Sequence, residues 1–461
     1  MTKSILVSFA PFAITATTVG ALPATPICNE EYPKEKFLHS SKMDSFLVSP
    51  NGPLKGSVKI SGSKNAVLPV MAAAMLADGI SKISNVPRLK DTQTMADVLR
   101  VTGCRIKQNE NDLSIDSSDI NHLEAPYELV KTMRASFYVL GPLVAKFGKC
   151  RVSLPGGCAW GPRPVDLHLK GLEALGAKIN ITHGYVEAVC EGRLKGNTFS
   201  FPISSVGATA NILMAATLAE GTSVLQNSSI EPEITALADY LAKMGADIKG
   251  IGTRTLIVNG VEKLKPGDGQ TIADRIEAGT FLAAAAITRG KIKVTDMVPE
   301  HQNALLEVFK SMGCEISAGD NWVELSAENR ELLPAHITTL PYPGFPTDMQ
   351  AQLMAVLATV KGTSSVRDTI YNDRFKHVSE LERLGAEISL KEDTAIINGG
   401  GKLTGAQVMA SDLRASAALV LAGLVAKGQT EISRIYHLDR GYENFEDKLS
   451  GLGAKLERRH G

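Results

Sequence analysis

The sequence has no excess of charge of either sign. Its 461 residues include 49 Lys plus Arg and 49 Asp plus Glu, so the formal net charge is zero. Proteins that bind nucleic acid or anionic membranes through a broad surface carry a basic excess, and we therefore expect neither partner. Any recognition of an anion must depend on a few local cations.

Cysteine is scarce and shows no paired spacing. No two cysteines form a C-x-x-C motif among Cys28, Cys104, Cys150, Cys158, Cys190 and Cys314. This pattern argues against a disulfide framework, offers no metal-type pairing and fits a reducing compartment. We expect a cytoplasmic protein.

Long apolar runs are also missing. The stretch 1–42 is rich in Ser, Thr, Ala and Pro near its start, and its apolar run is broken by Pro11 and too short to span a membrane. It could be a signal or transit peptide, or Met43 could be the real start, because regular patterning begins at Asp44. We expect 1–42 to be a disordered extension that is either cleaved or spurious.

The length allows two domains of roughly 200 residues each. A two-part pattern recurs six times along the chain. Its first part is a small-residue apolar helix that ends in glycine before an alternating strand, at Ala66–Gly79, Ala135–Gly148, Ala208–Gly221, Ala278–Gly290, Gln350–Gly362 and Ala415–Gly428. Its second part is a helix ending in Gly-[Ala/Cys]-x-[Ile/Leu], at Gly103, Gly176, Gly245, Gly313, Gly385 and Gly453. Each βαβαββ-type unit is roughly 70 residues long, and the six units predict two domains with buried helices inside sheets.

The stretch Ser153–His168 is crowded with glycine and proline and predicts a mobile loop. Cys158 lies near its apex and Arg163 follows. A nearby guanidinium favours the thiolate over the thiol and makes the cysteine more reactive. A reactive sulfur beside a cation suggests chemistry on an anionic substrate. The alternative is an inert, packed cysteine.

Several motifs together resemble the enolpyruvyl transferases. They are the Cys158 loop, Gly62-Ser-Lys64-Asn65-Ala, Arg134-Ala-Ser, Ser205-Val-Gly-Ala, Asp274-Arg-Ile-Glu-Ala-Gly-Thr, Phe345-Pro-Thr-Asp348-Met-Gln, Asp412-Leu-Arg414-Ala-Ser and Asp439-Arg440-Gly-Tyr. The resemblance covers the chain from about Met43 to its end. It implies an α/β protein with two inside-out α/β barrel domains joined by a hinge, and no metal or organic cofactor.

The resemblance also implies a reaction. The enolpyruvyl group of phosphoenolpyruvate passes to the 3′-hydroxyl of UDP-N-acetylglucosamine and phosphate is released, as the first committed step of peptidoglycan precursor synthesis. One domain would be discontinuous, with 43–63 plus 271–461. The other would be 64–270 and would carry the Cys158 loop.

Phosphoenolpyruvate carries a phosphate and a carboxylate, so its site needs several fixed cations. By resemblance, Lys64, Arg163 and Arg440 face the phosphate, and Arg374 and Arg414 face the carboxylate. Each of these could instead form an ordinary surface ion pair. Because the cations divide between the two domains, we expect their repulsion to hold an unliganded cleft open.

The transfer needs an acid for the methylene carbon and a base for the hydroxyl. Cys158 resembles the family's acid, which can also form a covalent thioketal with phosphoenolpyruvate. Asp348 resembles the residue that binds and deprotonates the hydroxyl. From its local sequence alone, Asp348 is better explained as a helix N-cap, and only the resemblance favours the catalytic role.

The remaining candidates concern the nucleotide sugar. Substrate-binding positions implied by the resemblance are Asn65, Arg134, Arg163, Pro164, Val165, Asp166, Leu167, Ser205, Val206, Gly207 and Ile370. Ser205–Gly207 opens a helix, which suits a diphosphate. Ile203 departs from the lysine of many relatives, and we expect His168 to be structural.

Two other functions stay open. A relative with the same fold acts on a shikimate phosphate, and it lacks the cysteine loop that this chain has. A non-catalytic nucleotide-sugar-binding protein is the alternative from another class. The complete set of acid, base and cations argues against it.

Overall fold

The structure is a computed structural model that describes residues 44–155, 165–371 and 373–461. The extension predicted over 1–42 lies outside the described residues, as do Cys158, Arg163 and Pro164 of the predicted loop.

The described chain alternates short helices with short strands. Its helices are α1 (Lys64–Ala73), α2 (Lys90–Val101), α3 (Tyr127–Val130), α4 (Leu140–Phe147), α5 (Asp166–Ala174), α6 (Val206–Ala216), α7 (Pro232–Lys243), α8 (Arg275–Ile287), α9 (Asn303–Ser311), α10 (Gln350–Ala358), α11 (Val378–Arg383), α12 (Leu413–Gly423) and α13 (Phe445–Gly451).

The strands of the first half are β1 (Ser45–Ser49), β2 (Lys55–Lys59), β3 (Ile80–Ser84), β4 (Arg105–Asn109), β5 (Asp112–Asp116), β6 (Glu124–Ala125), β7 (Lys149–Ser153), β8 (Lys178–Thr182), β9 (Tyr185–Val189), β10 (Thr198–Ser200), β11 (Thr222–Gln226) and β12 (Asp247–Lys249). Those of the second half are β13 (Thr255–Asn259), β14 (Asp268–Gln270), β15 (Lys291–Thr295), β16 (Glu315–Gly319), β17 (Trp322–Ser326), β18 (His336–Thr339), β19 (Gly362–Asp368), β20 (Glu387–Lys391), β21 (Thr394–Gly399), β22 (Gln407–Met409), β23 (Thr430–Ser433) and β24 (Lys455–Arg459).

Within the described ranges these strands form six four-stranded sheets with one shared topology. In each sheet an edge strand runs parallel to its neighbour, and the other two pairs are antiparallel. In one sheet, for example, β2 is parallel to β15, which is antiparallel to β17, which is antiparallel to β16. The sixfold sequence pattern is thus repeated in the strand pairing.

The central helices are buried on all sides. In α8 every residue from Ile276 to Ile287 is buried, and most of them are small. Small side chains let neighbouring elements approach closely. A Cβ on Gly141 of α4 would lie 2.4 Å from the backbone oxygen of Asn211 in α6. Apolar helices without a polar face therefore form the interior, and the sheets cover them.

Two separate hydrophobic cores organise the described chain. One, which we call the N-terminal lobe, draws its core residues from Val67 to Leu264. The other, the C-terminal lobe, draws them from Phe46–Ile60 and from Ile276–Ala454. The domain limits of 43–63 plus 271–461 and of 64–270 stay a prediction.

The chain passes between the lobes at two adjacent points. Ser63 N donates to Ile272 O at 2.7 Å, and Asp274 N donates to Ser61 O at 2.9 Å. Gly62 and Ala273 form an isolated antiparallel bridge between these hydrogen bonds. The two crossing segments therefore support each other.

The two glycine signals differ in structure. The six glycines of the second signal all follow helices with positive φ, from 91° at Gly176 and Gly385 to 108° at Gly103, as a left-handed C′ residue requires. The glycine of the first signal does not always end its helix, contrary to the prediction. Gly148 caps α4 directly, but α6 ends at Ala216, five residues before Gly221. There the left-handed glycine precedes the strand instead of ending the helix.

No helix in the part of the chain that the structure describes is long and apolar enough to cross a membrane.

Candidate active site

Charged groups from both lobes meet at Asp91. This residue lies in the first turn of α2, and its side chain is only 3 % exposed. Lys64 Nζ lies 3.1 Å from Asp91 Oδ2, and Arg440 Nε lies 2.8 Å from Oδ1. We call Asp91, Lys64 and Arg440 the Asp91 cluster. Lys64 belongs to the N-terminal lobe and Arg440 to the C-terminal lobe, so the cluster joins the lobes.

The charge state of Asp91 follows from its surroundings. Burial raises the pKa of its carboxyl, but the charges of Lys64 and Arg440 outweigh burial, so that the pKa lies below the ordinary value. Asp91 is therefore an anion at neutral pH. It holds the two cations close together without neutralising both.

A second cluster lies wholly in the C-terminal lobe. Asp348 Oδ1 lies 2.7 Å from Arg374 Nη2, and Asp348 Oδ2 lies 2.8 Å from Arg414 Nη2. Asp348 keeps 27 % of its side chain exposed, whereas both arginines are buried. We call these three residues the Asp348 cluster. Burial would raise the pKa of Asp348, but Arg414 and Arg374 hold it well below its ordinary value.

Arg414 is positioned by the start of α12. Asp412 caps this helix and accepts hydrogen bonds from Arg414 N at 2.9 Å and Ala415 N at 3.1 Å. The Arg414 side chain is 4 % exposed, and its Nη1 has no hydrogen-bond partner among the residues that the structure describes. A buried guanidinium with one unpartnered nitrogen retains the capacity to bind an anion.

Arg374 is fixed by a hydroxyl and a buried carboxylate. Its Nη1 donates to Thr347 Oγ1 at 2.9 Å, and Thr347 Oγ1 donates to Asp368 Oδ2 at 2.7 Å. Asp368 Oδ1 also accepts from Ile370 N at 3.0 Å. The segment with Ile370 is therefore tied to the same network that holds Arg374.

The predicted nucleotide positions come together at two helix starts. Ser205 caps α6 and accepts from Ala208 N at 3.4 Å, while Val165 immediately precedes α5. Gly207 packs against His168, since a Cβ on it would lie 3.2 Å from His168 Nε2. The first turns of α5 and α6 are thus in contact.

The side chain of His168 lies between α5 and α6 and stabilises this contact. It is buried, and its Nδ1 accepts from Asn211 Nδ2 at 3.0 Å. Burial and then the charge of Arg134 lower the pKa of His168 to about 3, so the ring is neutral. These properties agree with the expectation that His168 has a structural role.

The other described candidates occupy the surroundings. Asn65 follows Lys64 in the first turn of α1, and Arg134 opens the 3₁₀ segment Arg134–Val139; both are half-buried. Asp166 and Leu167 lie in the first turn of α5, and Val206 opens α6. The roles implied for Cys158, Arg163 and Pro164 concern positions outside the described residues.

Sequence reasoning missed three acceptors that organise the cations: Asp91, Thr347 and Asp368. Asp91 stands in none of the motifs named for the site, and nothing in its local sequence indicates that its partner Arg440 lies 349 residues away. The expectation of like charges repelling across the cleft is corrected accordingly. Lys64, Arg440, Arg374 and Arg414 all contact carboxylates, which attract them instead.

Comparison with solved structures defines the class of protein. The chain superimposes on the enolpyruvyl transferase NikO from Streptomyces tendae with a TM-score of 0.82, at 25 % identity, covering 91 % of this chain and 99 % of that one. EPSP synthase from Acinetobacter baumannii shares the fold, with a TM-score of 0.71 at 20 % identity over 90 % of this chain and 100 % of that one. The fold class predicted from the repeats is confirmed.

The sequence comparisons are more specific. The model of the family described as EPSP synthase (3-phosphoshikimate 1-carboxyvinyltransferase) matches residues 48–449, and the chain belongs to this family of enolpyruvyl transferases. A relative from Chloroherpeton thalassium named UDP-N-acetylglucosamine 1-carboxyvinyltransferase is 53 % identical over 90 % of this chain and 97 % of its own length. One of the same name from Acinetobacter baylyi is 52 % identical over 90 % of this chain and 100 % of its own length.

Proposed function

We propose that this chain transfers the enolpyruvyl group of phosphoenolpyruvate to the 3′-hydroxyl of UDP-N-acetylglucosamine and releases phosphate. The observation that carries the proposal is the pair of clusters, in which four cations lie on two carboxylates, Asp91 and Asp348. Similarity above 50 % to relatives named UDP-N-acetylglucosamine 1-carboxyvinyltransferase supports this acceptor over shikimate phosphate.

The two clusters match the two ends of phosphoenolpyruvate. Its phosphate carries more charge and would bind Lys64 and Arg440, together with Arg163 of the loop. Its carboxylate would bind Arg414 and Arg374, whose planar guanidinium groups suit two-oxygen anions. The unpartnered Nη1 of Arg414 is the position where a substrate oxygen would add a hydrogen bond.

Substrate binding would also prepare the base. Asp348 is a poor base while two arginines hold its pKa well below the ordinary range. When the carboxylate of phosphoenolpyruvate takes the same arginines, Asp348 loses part of that stabilisation and its pKa rises. We infer that binding of the carboxylate of phosphoenolpyruvate to Arg374 and Arg414 activates Asp348 as a base.

The reaction then proceeds by addition and elimination. Asp348 removes the proton of the 3′-hydroxyl, whose oxygen bonds to C2 of phosphoenolpyruvate, while Cys158 donates a proton to C3. Elimination follows: C3 returns a proton to the Cys158 thiolate, the electron pair of that C–H bond re-forms the double bond to C2, and the C2–O bond to phosphate breaks as phosphate leaves. The four cations of the clusters stabilise the negative charge on the bound phosphate and carboxylate throughout.

The nucleotide part of the acceptor would lie on the two helix starts. The backbone N–H groups at Ser205–Gly207 suit the diphosphate, and the segment Arg163–Leu167 suits the uracil. Arg134, Asn65 and Ile370 would complete the sugar site. We propose that the reaction takes place in the cytoplasm, as the first committed step of peptidoglycan precursor synthesis.

The test is release of phosphate from phosphoenolpyruvate with each acceptor in turn. We expect turnover with UDP-N-acetylglucosamine and none with shikimate 3-phosphate. Turnover with shikimate 3-phosphate alone would overturn the assignment of the acceptor. Tight binding of UDP-N-acetylglucosamine without any phosphate release would instead indicate a binding protein.

A further inference from the structure

The lobes also meet beside the Asp91 cluster, at a carboxylate without an assigned function. Glu443 of the C-terminal lobe lies three residues beyond Arg440 and is 8 % exposed. Its Oε1 accepts from Arg88 N at 3.0 Å and from Arg88 Nε at 3.3 Å. Asn111 Nδ2 donates to the same oxygen at 3.1 Å. Both donors belong to the N-terminal lobe.

The Asn111 donor is also held by its own lobe. Asn111 lies in the turn between β4 and β5, and its Nδ2 also donates to Val86 O at 2.9 Å. Val86 N in turn donates to Asn111 O at 2.7 Å. Asn111 is therefore positioned by its own lobe as well as by Glu443, and Arg88 follows two residues after Val86, the partner of Asn111.

The contacts of Glu443 and Asp91 are reciprocal. Asp91 of the N-terminal lobe accepts from Arg440 of the C-terminal lobe, and Glu443 accepts from the N-terminal lobe in the opposite direction. Burial raises the pKa of Glu443, but the hydrogen bonds from Arg88 N and Asn111 outweigh burial and leave it below the ordinary value. Glu443 is thus an anion in contact with donors of the other lobe, and any separation of the lobes must break these bonds.

We propose that Glu443 is a positioning residue that docks the Arg440 segment onto the N-terminal lobe and so places Arg440 in the phosphate site. The inference rests on the proposed function, because it concerns the phosphate of phosphoenolpyruvate. Only Gly441 and Tyr442 lie between Arg440 and Glu443, and so short a connection does not let one end move far while the other is held. Fixing Glu443 therefore fixes the approach of Arg440 to Asp91.

The test uses Asn111→Asp, Glu443→Gln and their combination. Asn111→Asp replaces the amide that faces Glu443 with a second carboxylate. Repulsion between the two carboxylates should displace the Arg440 segment and raise the KM for phosphoenolpyruvate about tenfold or more. Glu443→Gln alone should have a smaller effect, since the amide oxygen still accepts from Arg88 N. The combined variant should recover part of the loss, because the amide introduced at position 443 donates to the new carboxylate, although the hydrogen bond to Val86 O is not restored.

The control is Glu446→Gln on the same segment. Glu446 pairs with Arg458 within the C-terminal lobe, 2.7 Å away, and its substitution should leave both KM values within about twofold of the parent protein. The KM for UDP-N-acetylglucosamine should change little in all four variants. Melting temperatures show that each variant is folded before its kinetics are compared.

The outcomes separate two failures. If the parent protein releases no phosphate with either acceptor, the proposed function fails. If the parent is active but Asn111→Asp leaves the KM for phosphoenolpyruvate unchanged, the positioning role is wrong. Equal losses in Asn111→Asp and in the combined variant, without rescue, would also overturn it, because they would indicate a general structural defect.

Discussion

The Asp91 and Asp348 clusters use the same chemistry in different settings. Each holds two cations on one carboxylate at distances between 2.7 and 3.1 Å. The Asp91 cluster takes its cations from both lobes, and its carboxylate is buried. The Asp348 cluster lies within one lobe, and its carboxylate is partly exposed between two buried arginines.

This difference assigns the clusters different tasks. A site assembled from two lobes exists only while they are together, so the Asp91 cluster can couple phosphate binding to the arrangement of the lobes. A site built within one lobe is preorganised and can hold reacting groups in a constant geometry. Four experiments can test whether the two clusters have these different tasks.

Asp348→Asn should lower kcat about a thousandfold, because the amide cannot accept the hydroxyl proton. Steady-state phosphate release measures the effect. Asp393→Asn is the matched control, since Asp393 forms a pair with the exposed Arg367 at 2.8 Å in the same lobe. A kcat of Asp348→Asn within fivefold of the parent would exclude Asp348 as the base.

Asp91→Asn should act mainly on the KM for phosphoenolpyruvate and raise it roughly tenfold to a hundredfold. The amide no longer attracts Lys64 and Arg440 as a charge does, and the phosphate site loses its geometry. Asp97→Asn on the same helix is the control, because its partner Arg100 lies in an exposed pair. If Asp91→Asn lowered kcat without changing this KM, the two clusters would not differ as we propose.

The two carboxylates should also differ in acid. Both have folded pKa values below the usual 3.8, with Asp348 well below, so each contributes stability that is present above the unfolded pKa and is lost as pH falls through the folded pKa. The loss from Asp348 should extend to lower pH than that from Asp91. The free energy of unfolding, measured with denaturant between pH 5 and pH 3, should therefore depend less on pH in Asp348→Asn than in Asp91→Asn. The opposite order would contradict the stronger ion pairing at Asp348.

The smallest effect concerns the arrangement of the lobes. The Asp91 cluster and Glu443 already join the lobes without ligand, so small-angle scattering of the parent protein should show a radius of gyration that changes little when UDP-N-acetylglucosamine is added. The unliganded radius should be larger in Asp91→Asn, because one contact between the lobes is lost, and unchanged in Asp97→Asn. A marked contraction of the parent protein at saturating ligand would show that the lobes are apart before the ligand binds, and would contradict this role of the Asp91 cluster.

Much of the architecture could be predicted from local patterns. The left-handed φ of Gly103, Gly176 and their four counterparts follows from helix capping, which only neighbouring residues decide. The hairpin turns, such as that between β16 and β17, follow from short polar segments between alternating strands. The ends of α6 and similar helices could not be placed, because a buried helix has no polar boundary in its sequence.

At the candidate site, the charged residues could be found from short motifs and from the resemblance that these carry, which indicate Lys64, Asp348, Arg374, Arg414 and Arg440. Their partners depend on how the folded lobes meet. Asp91 pairs with Arg440 across 349 residues, and Glu443 pairs with Arg88 across 355. Such pairs arise where two separately packed cores meet. Local propensity does not indicate which surfaces of those cores will face each other. A carboxylate that becomes buried at their contact needs a cation or a hydrogen-bond donor as its partner, because an unpaired buried charge is unfavourable.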